Sequence, residues 1–197
     1  MADEQFARPN RSAIEDVITK RCTIDHQQSI IQCFAITSVD LTSCYDRIIH
    51  IAAALALLRI GISHSRIKSM FKAIQQMIHR IRTVYGDSDI TYGGELGNWE
   101  NWPQGVLQGN AAGPAIWAVL SAIIFKILHK RGFKSNIISS ISKQLFCIVG
   151  YAYVDDCDLF QVGDDPVEVL SSMQNIINSW GGLMKVTGAV VRAEKCW

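Results

Sequence analysis

The strongest constraint on this chain is a pair of apolar, strand-like runs, residues 145–154 and 159–162, held apart by Asp155, Asp156, Cys157 and Asp158. Such runs seek a sheet interior, and the short acidic break between them predicts a β-hairpin with carboxylates at its tip. Asp155 and Asp156 are adjacent like charges, and both ionise cheaply only with a cation between them or with free access to water. Aspartate is also a favoured turn residue, so the pair taken alone fits a solvated turn. Asp40 changes the odds. It ends a β-branched, apolar stretch over 30–39 that reads as a strand buried in the middle of a sheet. With the two strand ends side by side, three carboxylates meet at one point. Oxygen-rich sites with few protein ligands suit Mg²⁺, and two such ions ~3.5 to 4 Å apart activate an attacking hydroxyl and stabilise a leaving phosphate.

The rest of the pattern mixes helices and strands in one domain. No repeat, low-complexity tract or linker divides the 197 residues, a length that buries roughly 70% of the unfolded surface. Helices are expected over 12–20 and 47–61, with Gly61 as a stop. Ser63 is a candidate cap for a further helix with an apolar stripe at Ile67, Met70, Phe71, Ile74, Met77, Ile78 and Ile81. Residues 85–108 read as loops with one short strand, and Pro114 opens a long helix. Asp165-Pro166 opens the last one, striped by Leu170, Met173, Ile177, Trp180 and Met184 and stopped near Gly188.

Composition excludes several classes. With 49% hydrophobic and 19% charged residues the chain is too apolar for global disorder and too interrupted by charge for a membrane protein. Its most apolar stretch, 115–125, falls short of the ~20 residues that cross a bilayer and is expected to be a buried helix. The N-terminus carries acids and no apolar segment of the secretory kind, so an intracellular protein is expected, nucleus and cytoplasm undistinguished. The six cysteines show neither disulfide-framework nor zinc spacing and are expected to be small buried hydrophobes. Nineteen Lys+Arg against eighteen Asp+Glu give a net charge of +1, which does not announce a nucleic-acid binder. The distribution says more than the sum. No Asp or Glu occurs between Arg47 and Gly86, or between Asn101 and Val154, whereas six acids crowd 155–168. Such separation suits a protein that grips phosphates with some surfaces and binds metal with another, although solvated helix faces produce the same pattern.

Three ordered motifs carry a family resemblance. Ser38-Val39-Asp40-Leu41-Thr42-Ser43-Cys44-Tyr45-Asp46-Arg47 resembles the first catalytic motif of reverse transcriptases. Gln108-Gly109-Asn110-Ala111-Ala112-Gly113-Pro114 is similar to their glutamine-glycine motif, and Tyr153-Val154-Asp155-Asp156 matches their YxDD box. Residues 5–16, with Arg8 and Arg11, resemble the fingers segment of non-LTR retrotransposon and group II intron enzymes, and 188–195 resembles a later motif ending in lysine.

The resemblance implies an α+β polymerase palm, an antiparallel sheet packed against helices, over 31–197, with a partial fingers segment over 1–30 and no thumb. It implies an RNA-directed DNA polymerase of retroelement origin working by two-metal nucleotidyl transfer, with an RNA template, a DNA primer and dNTPs as partners and no membrane. Asp40, Asp155 and Asp156 would hold two Mg²⁺ ions, Mn²⁺ being a substitute. The backbone near Leu41 would face the triphosphate, Arg8 would bind it through its planar fork, and Gln108 and Gly109 would line the pocket under the nascent base pair. Tyr45 would lie under the nucleotide sugar and exclude a 2′-hydroxyl. Lys195 would protonate departing pyrophosphate as a general acid. Gly113 stands where the family often has serine. An RNA-dependent RNA polymerase and a non-catalytic nucleic-acid-binding fragment are the alternatives, and the oligomeric state is not legible.

Overall fold

A computed structural model describes residues 4, 6–7, 10–42, 44–93, 105–106, 112–139 and 141–196. Arg8, Gln108 and Gly109 therefore lie outside the described residues. The first helix, α1 (Ala13–Ser29), begins at Ser12, whose hydroxyl accepts from the Glu15 amide while the Glu15 carboxylate accepts from the Ser12 amide. This reciprocal capping fixes the start; the helix then runs nine residues past the expected end at Lys20.

Next come β1 (Cys33–Val39), the two-residue β2 (Leu41–Thr42) and a single turn, α2 (Cys44–Arg47). They are followed by α3 (His50–Arg59), α4 (His64–Gln76) and an antiparallel hairpin of β3 (Ile78–Thr83) and β4 (Gly86–Gly93). The apolar stripe beginning at Ile67 thus belongs to a helix only as far as Ile74. Ile78 and Ile81 fall in β3, where β-branched residues are favoured and pairing with β4 supersedes the 3.6-residue period. The loop-rich region accordingly contains an eight-residue strand rather than a short one.

The long helix α5 (Ala112–Lys130) supplies the centre of the core. Ile116, Trp117, Leu120, Ile124, Phe125 and Leu128 are buried, and the helix packs on α2, α3 and the last helix. Its 19 residues are long and apolar enough to cross a membrane, which the shorter 115–125 run did not suggest; more than half of it is buried inside the fold. Beyond it come β5 (Ser135–Ile138), β6 (Leu145–Ile148), β7 (Gly150–Tyr153), β8 (Asp156–Gly163), α6 (Pro166–Thr187) and β9 (Val190–Val191).

The main sheet has the order β1-β8-β7, all antiparallel. β8 is its middle strand and carries the buried run Leu159–Phe160–Gln161. β1, expected in the middle, instead pairs with β8 alone among the described residues and is half-buried along most of its length. The free edge of β7 is partly covered by the N-terminal segment, where the Phe6 amide donates to the Ala152 carbonyl and the Ala152 amide to the Glu4 carbonyl, both at 2.8 Å. Helices α5 and α6 back one face of the sheet through Trp117, Met173, Ile176, Trp180 and Met184. On the other face Phe6, Ile137, Tyr151 and Phe160 form a smaller cluster. The buried stripe of α6 runs through Val169 and Ile176, leaving Leu170 exposed, because the helix turns that face toward the sheet. Of the cysteines only Cys44 and Cys157 are buried; Cys22 and Cys147 are exposed.

Asp165 caps α6 by accepting from the Val167 amide, and Gly188 ends it in the left-handed region at φ 92°. A Cβ at residue 188 would stand 2.1 Å from the Arg47 carbonyl oxygen, whereas one at Gly61, also left-handed at φ 91°, would meet nothing within 4 Å. Gly61→Ala should therefore cost about 1 kcal/mol, the conformational penalty alone. Gly188→Ala should cost roughly 3 kcal/mol or more by adding a backbone clash; urea unfolding of both variants measures the difference.

Candidate active site

Strand pairing assembles the acidic centre. In the β1–β8 register Val39 lies opposite Cys157, so Asp40, the next residue on β1's side, emerges beside the turn that carries Asp155 and Asp156. That turn is tighter than the sequence suggests. Tyr153 pairs with Asp156, leaving only Val154 and Asp155 between the strands, and Cys157 and Asp158 belong to β8. Val154 takes the left-handed conformation at φ 59°, which is strained for a β-branched residue. The Trp117 indole N–H donates to the Val154 carbonyl at 2.6 Å and holds this conformation from the core helix.

The site's charges interact. Burial raises the pKa of Asp156 above the usual carboxylate range, and Asp155, Asp40 and Asp158 raise it further, while Lys20 opposes them. Asp155 also bears on Tyr45 and Cys44: burial, then the Asp155 charge, pushes the Tyr45 hydroxyl up to about 12 and the Cys44 thiol higher still. Tyr45 is thus a half-buried neutral phenol near Asp155. Its position is fixed from the glutamine-glycine side, because the Val106 amide donates to the Tyr45 carbonyl at 2.8 Å. Gly105, at φ +76°, approaches so closely that a Cβ there would stand 2.2 Å from the same oxygen. Gly113 faces the Tyr45 ring; a Cβ would sit 3.4 Å from Cδ1, so a side chain there would crowd the ring.

Lys195 pairs with Asp40, Nζ to Oδ2 at 3.4 Å. The pairing β2–β9 brings it there: Leu41 is opposite Val191, the Arg192 amide donates to the Asp40 carbonyl at 3.0 Å, and the Arg192 Nε donates to Thr42 at 2.9 Å. Leu41 keeps its side chain in the core. Arg11 lies over the Phe6 ring at 5.5 Å and 3.8 Å from Glu15.

Residues not singled out in the sequence complete a cleft of about 700 Å³ around the acids. Asp16 and Lys20 of α1 line it together with Ser38, Asp40, Tyr153, Asp156, Asp158 and Lys195. Lys20 and the Ser38 hydroxyl both donate to the Asp158 carboxylate. Asp16 is 9% exposed and its Oδ1 has no hydrogen-bond partner. Burial raises the pKa of Asp16, with Asp158 and Asp156 adding to it and Lys20 opposing. The only local signal for this role is the i,i+4 spacing of Asp16 and Lys20, common to any solvated helix face.

The oxygen donors and their mutual repulsion have the chemistry of a hard-cation site. Among the described residues no three His, Cys, Asp or Glu side chains are gathered closely enough to hold a metal ion, and Asp40 is engaged by Lys195. The carboxylates share one field without forming a cage.

No family model matches the chain, and no curated protein matches it. Solved structures do. Truncated apo telomerase from Candida tropicalis superposes with a TM-score of 0.61 at 18% identity, covering 98% of this chain and 35% of the telomerase. Telomerase from Candida albicans in complex with a TWJ fragment of telomeric RNA gives 0.61 at 15% identity, covering 98% and 32%. The Candida tropicalis complex with that RNA gives 0.59 at 16%, covering 98% and 30%. The chain shares the fold of this part of the telomerases, antiparallel sheets packed against helices. It spans about a third of the length of these telomerases.

Replacing Trp117 by Phe keeps the core ring and removes the donor to Val154. The variant should lose about 1 to 2 kcal/mol in urea unfolding, the cost of an unsatisfied buried carbonyl, and amide exchange should rise at Asp155 and Asp156 ahead of the rest of the sheet.

Proposed function

We propose that this chain is the palm of an RNA-directed DNA polymerase, residues 31–197, joined to part of its fingers, residues 1–30. The observation that carries the reading is the β1–β8 register, which sets Asp40 beside the Asp155–Asp156 turn in a reverse-transcriptase-like fold. Supporting it, Asp40 and Tyr45 of the first motif feel or exert the charge of the turn that carries Asp155 and Asp156 of the third, and Gly113, within the second, packs against the Tyr45 ring. The RNA-bound Candida telomerases support RNA as a partner of this fold.

Asp40, Asp155 and Asp156 are the residues that would hold divalent metal, Mg²⁺ or Mn²⁺. When bound, two such ions increase the nucleophilicity of a primer 3′-hydroxyl and offset charge on the departing pyrophosphate. The chain's own part is positioning and charge. Tyr45, neutral across the working pH range, would lie under the sugar of an incoming dNTP and exclude a 2′-hydroxyl. Lys195, which pairs with Asp40, would deliver a proton to the leaving group after releasing that carboxylate. Gln108 and Gly109 would support the nascent base pair and Arg8 the triphosphate.

A second reading is a palm-like module that binds nucleic acid without catalysis. It is favoured by one feature, the neutralisation of Asp40 by Lys195 in the absence of a three-carboxylate cage among the described residues. An RNA-dependent RNA polymerase fits less well, because an aromatic at Tyr45 disfavours ribonucleotides.

Primer extension on an RNA template with Mg²⁺ separates these readings. Asp155→Asn should lower the extension rate by about 10³-fold or more, the scale of removing a principal electrostatic group; a wild-type chain that binds primer–template but never extends it supports the non-catalytic module. Tyr45 has its own test. Tyr45→Ala should lower the preference for dNTP over rNTP by about tenfold or more while dNTP incorporation persists, and an unchanged ratio of kcat/KM values removes Tyr45 from sugar selection.

A further inference from the structure

The residues of the catalytic cleft leave one strongly charged surface unexplained. From Arg59 to Gly93 the chain carries six Lys and Arg residues against Asp87 and Asp89, a net +4 in a protein whose total is +1. Arg59 ends α3, and the others occupy α4 and the β3–β4 hairpin, none of which lines the acidic cleft.

On α4 the buried face is Ile67, Phe71 and Ile74. Lys68 and Lys72, one turn apart, point to solvent, and Arg66 is exposed on the other side of that outer face. Among the described residues Arg66, Lys68, Lys72 and Arg80 form no ion pair, whereas Arg82 is matched by Asp87 through two contacts at 2.7 and 3.1 Å. The hairpin continues directly from α4 through Met77. Its two-residue tip, between Thr83 and Gly86, is Val84-Tyr85, and Tyr85 is 97% exposed. A six-residue strand carries that tip roughly 20 Å from the end of α4. An isolated two-stranded hairpin is only marginally stable in water, and this one spends little apolar area on the core: Ile78, Ile81 and Ile90 are all exposed.

Unpaired lysines and arginines attract phosphates at any sequence, and an exposed ring at a fixed distance from them offers a face on which a base can stack. We infer that the outer face of α4 and the tip of the β3–β4 hairpin form a second nucleic-acid surface, which holds single-stranded RNA or DNA through phosphate contacts at Arg66, Lys68, Lys72 and Arg80 and base stacking on Tyr85. Charge complementarity selects a polyanion, and the solitary aromatic at the tip favours an unpaired strand, because bases inside a duplex present no free face. The surface would hold the template outside the catalytic cleft; this role rests on the polymerase reading, and the binding itself does not.

The test uses the full chain and a fluorescein-labelled RNA strand of about 20 nucleotides, with fluorescence anisotropy recorded between about 50 and 200 mM salt. Lys68→Glu with Lys72→Glu should weaken binding by about tenfold or more and flatten the log–log salt dependence by about 1.4, two single-strand contacts' worth. Lys126→Glu with Lys134→Glu makes the same change in net charge on exposed residues elsewhere and should stay within about threefold of wild type. Tyr85→Ala should weaken binding by about tenfold at unchanged salt slope, and Tyr85→Trp should restore it. Circular dichroism confirms that the variants fold. Equal effects of the two charge-reversal pairs overturn the inference, as does an affinity indifferent to Tyr85→Ala. So does a wild-type chain that binds phosphatidylserine vesicles through Lys68, Lys72 and Tyr85 but no RNA. Primer extension keeps the two readings apart. A chain that extends primers but binds RNA independently of Lys68, Lys72 and Tyr85 loses this surface and keeps its polymerase. One that binds through these residues and never extends a primer keeps the surface and loses the polymerase.

Discussion

The β1–β8 ladder is the constraint on which the site depends. Side chains alternate along a strand, so a slip of one residue would turn Asp40 away from the Asp155–Asp156 turn and send Cys157 out of the core. Apolar burial fixes the register: Leu159 and Phe160 are fully buried in the middle strand, and Cys157 and Val39 are buried opposite one another beside the acids. Charge alone could not hold this arrangement, because Asp40, Asp155, Asp156 and Asp158 repel one another across it. The acidic centre is therefore imposed by hydrophobic packing on one side and restrained by specific polar contacts on the other. Trp117 holds the Val154 carbonyl, Ser38 and Lys20 hold Asp158, and Lys195 holds Asp40.

Local pattern foretold much of this and failed where distant partners decide. The hairpin around Asp155, the helix from Asp165-Pro166 and the stops at Gly61 and Gly188 carry short-range signals, and they occur close to where those signals lie. β1 looked like a central strand because both its faces are apolar. Yet a strand's place in a sheet is set by its pairing partners, which no local window contains. Ile78 and Ile81 continue a helical stripe in sequence but fall in a strand that pairs with β4, where Ile78 lies opposite Gly93. The site shows the same division. Asp40, Tyr45, Asp155 and Asp156 were legible through their motifs. Asp16 and Lys20 reach the cleft, and Trp117 the Val154 carbonyl, only because α1 and α5 pack where they do.

The net charge of +1 conceals three separate arrangements. Acids of the cleft are partly met by lysines brought from far along the chain, Lys20 to Asp158 and Lys195 to Asp40. Basic residues of α4 are met by nothing on the protein among the described residues, and in the hairpin Arg82 is satisfied locally by Asp87. An unpaired surface base costs little in water, so α4 needs no partner to be stable. The acids of the cleft are crowded as well as unpaired: Asp156 is exposed, yet partial burial and then the charges of Asp155, Asp40 and Asp158 raise its pKa.

Lys195 bears directly on how that crowding would be relieved. Asp155 and Asp156 form no ion pair among the described residues, whereas Asp40 has an internal cation at 3.4 Å. A divalent ion shared by Asp40 and the turn would have to displace the ammonium, and one such ion can serve several carboxylates whereas Lys195 serves one. The displaced ammonium does not leave the site. The β2–β9 pairing and the Arg192 contacts anchor its backbone beside Asp40, so the freed side chain would stay at the edge of the acidic cleft. On the polymerase reading proposed above, the contact that neutralises Asp40 would thus also keep a proton donor beside the acids.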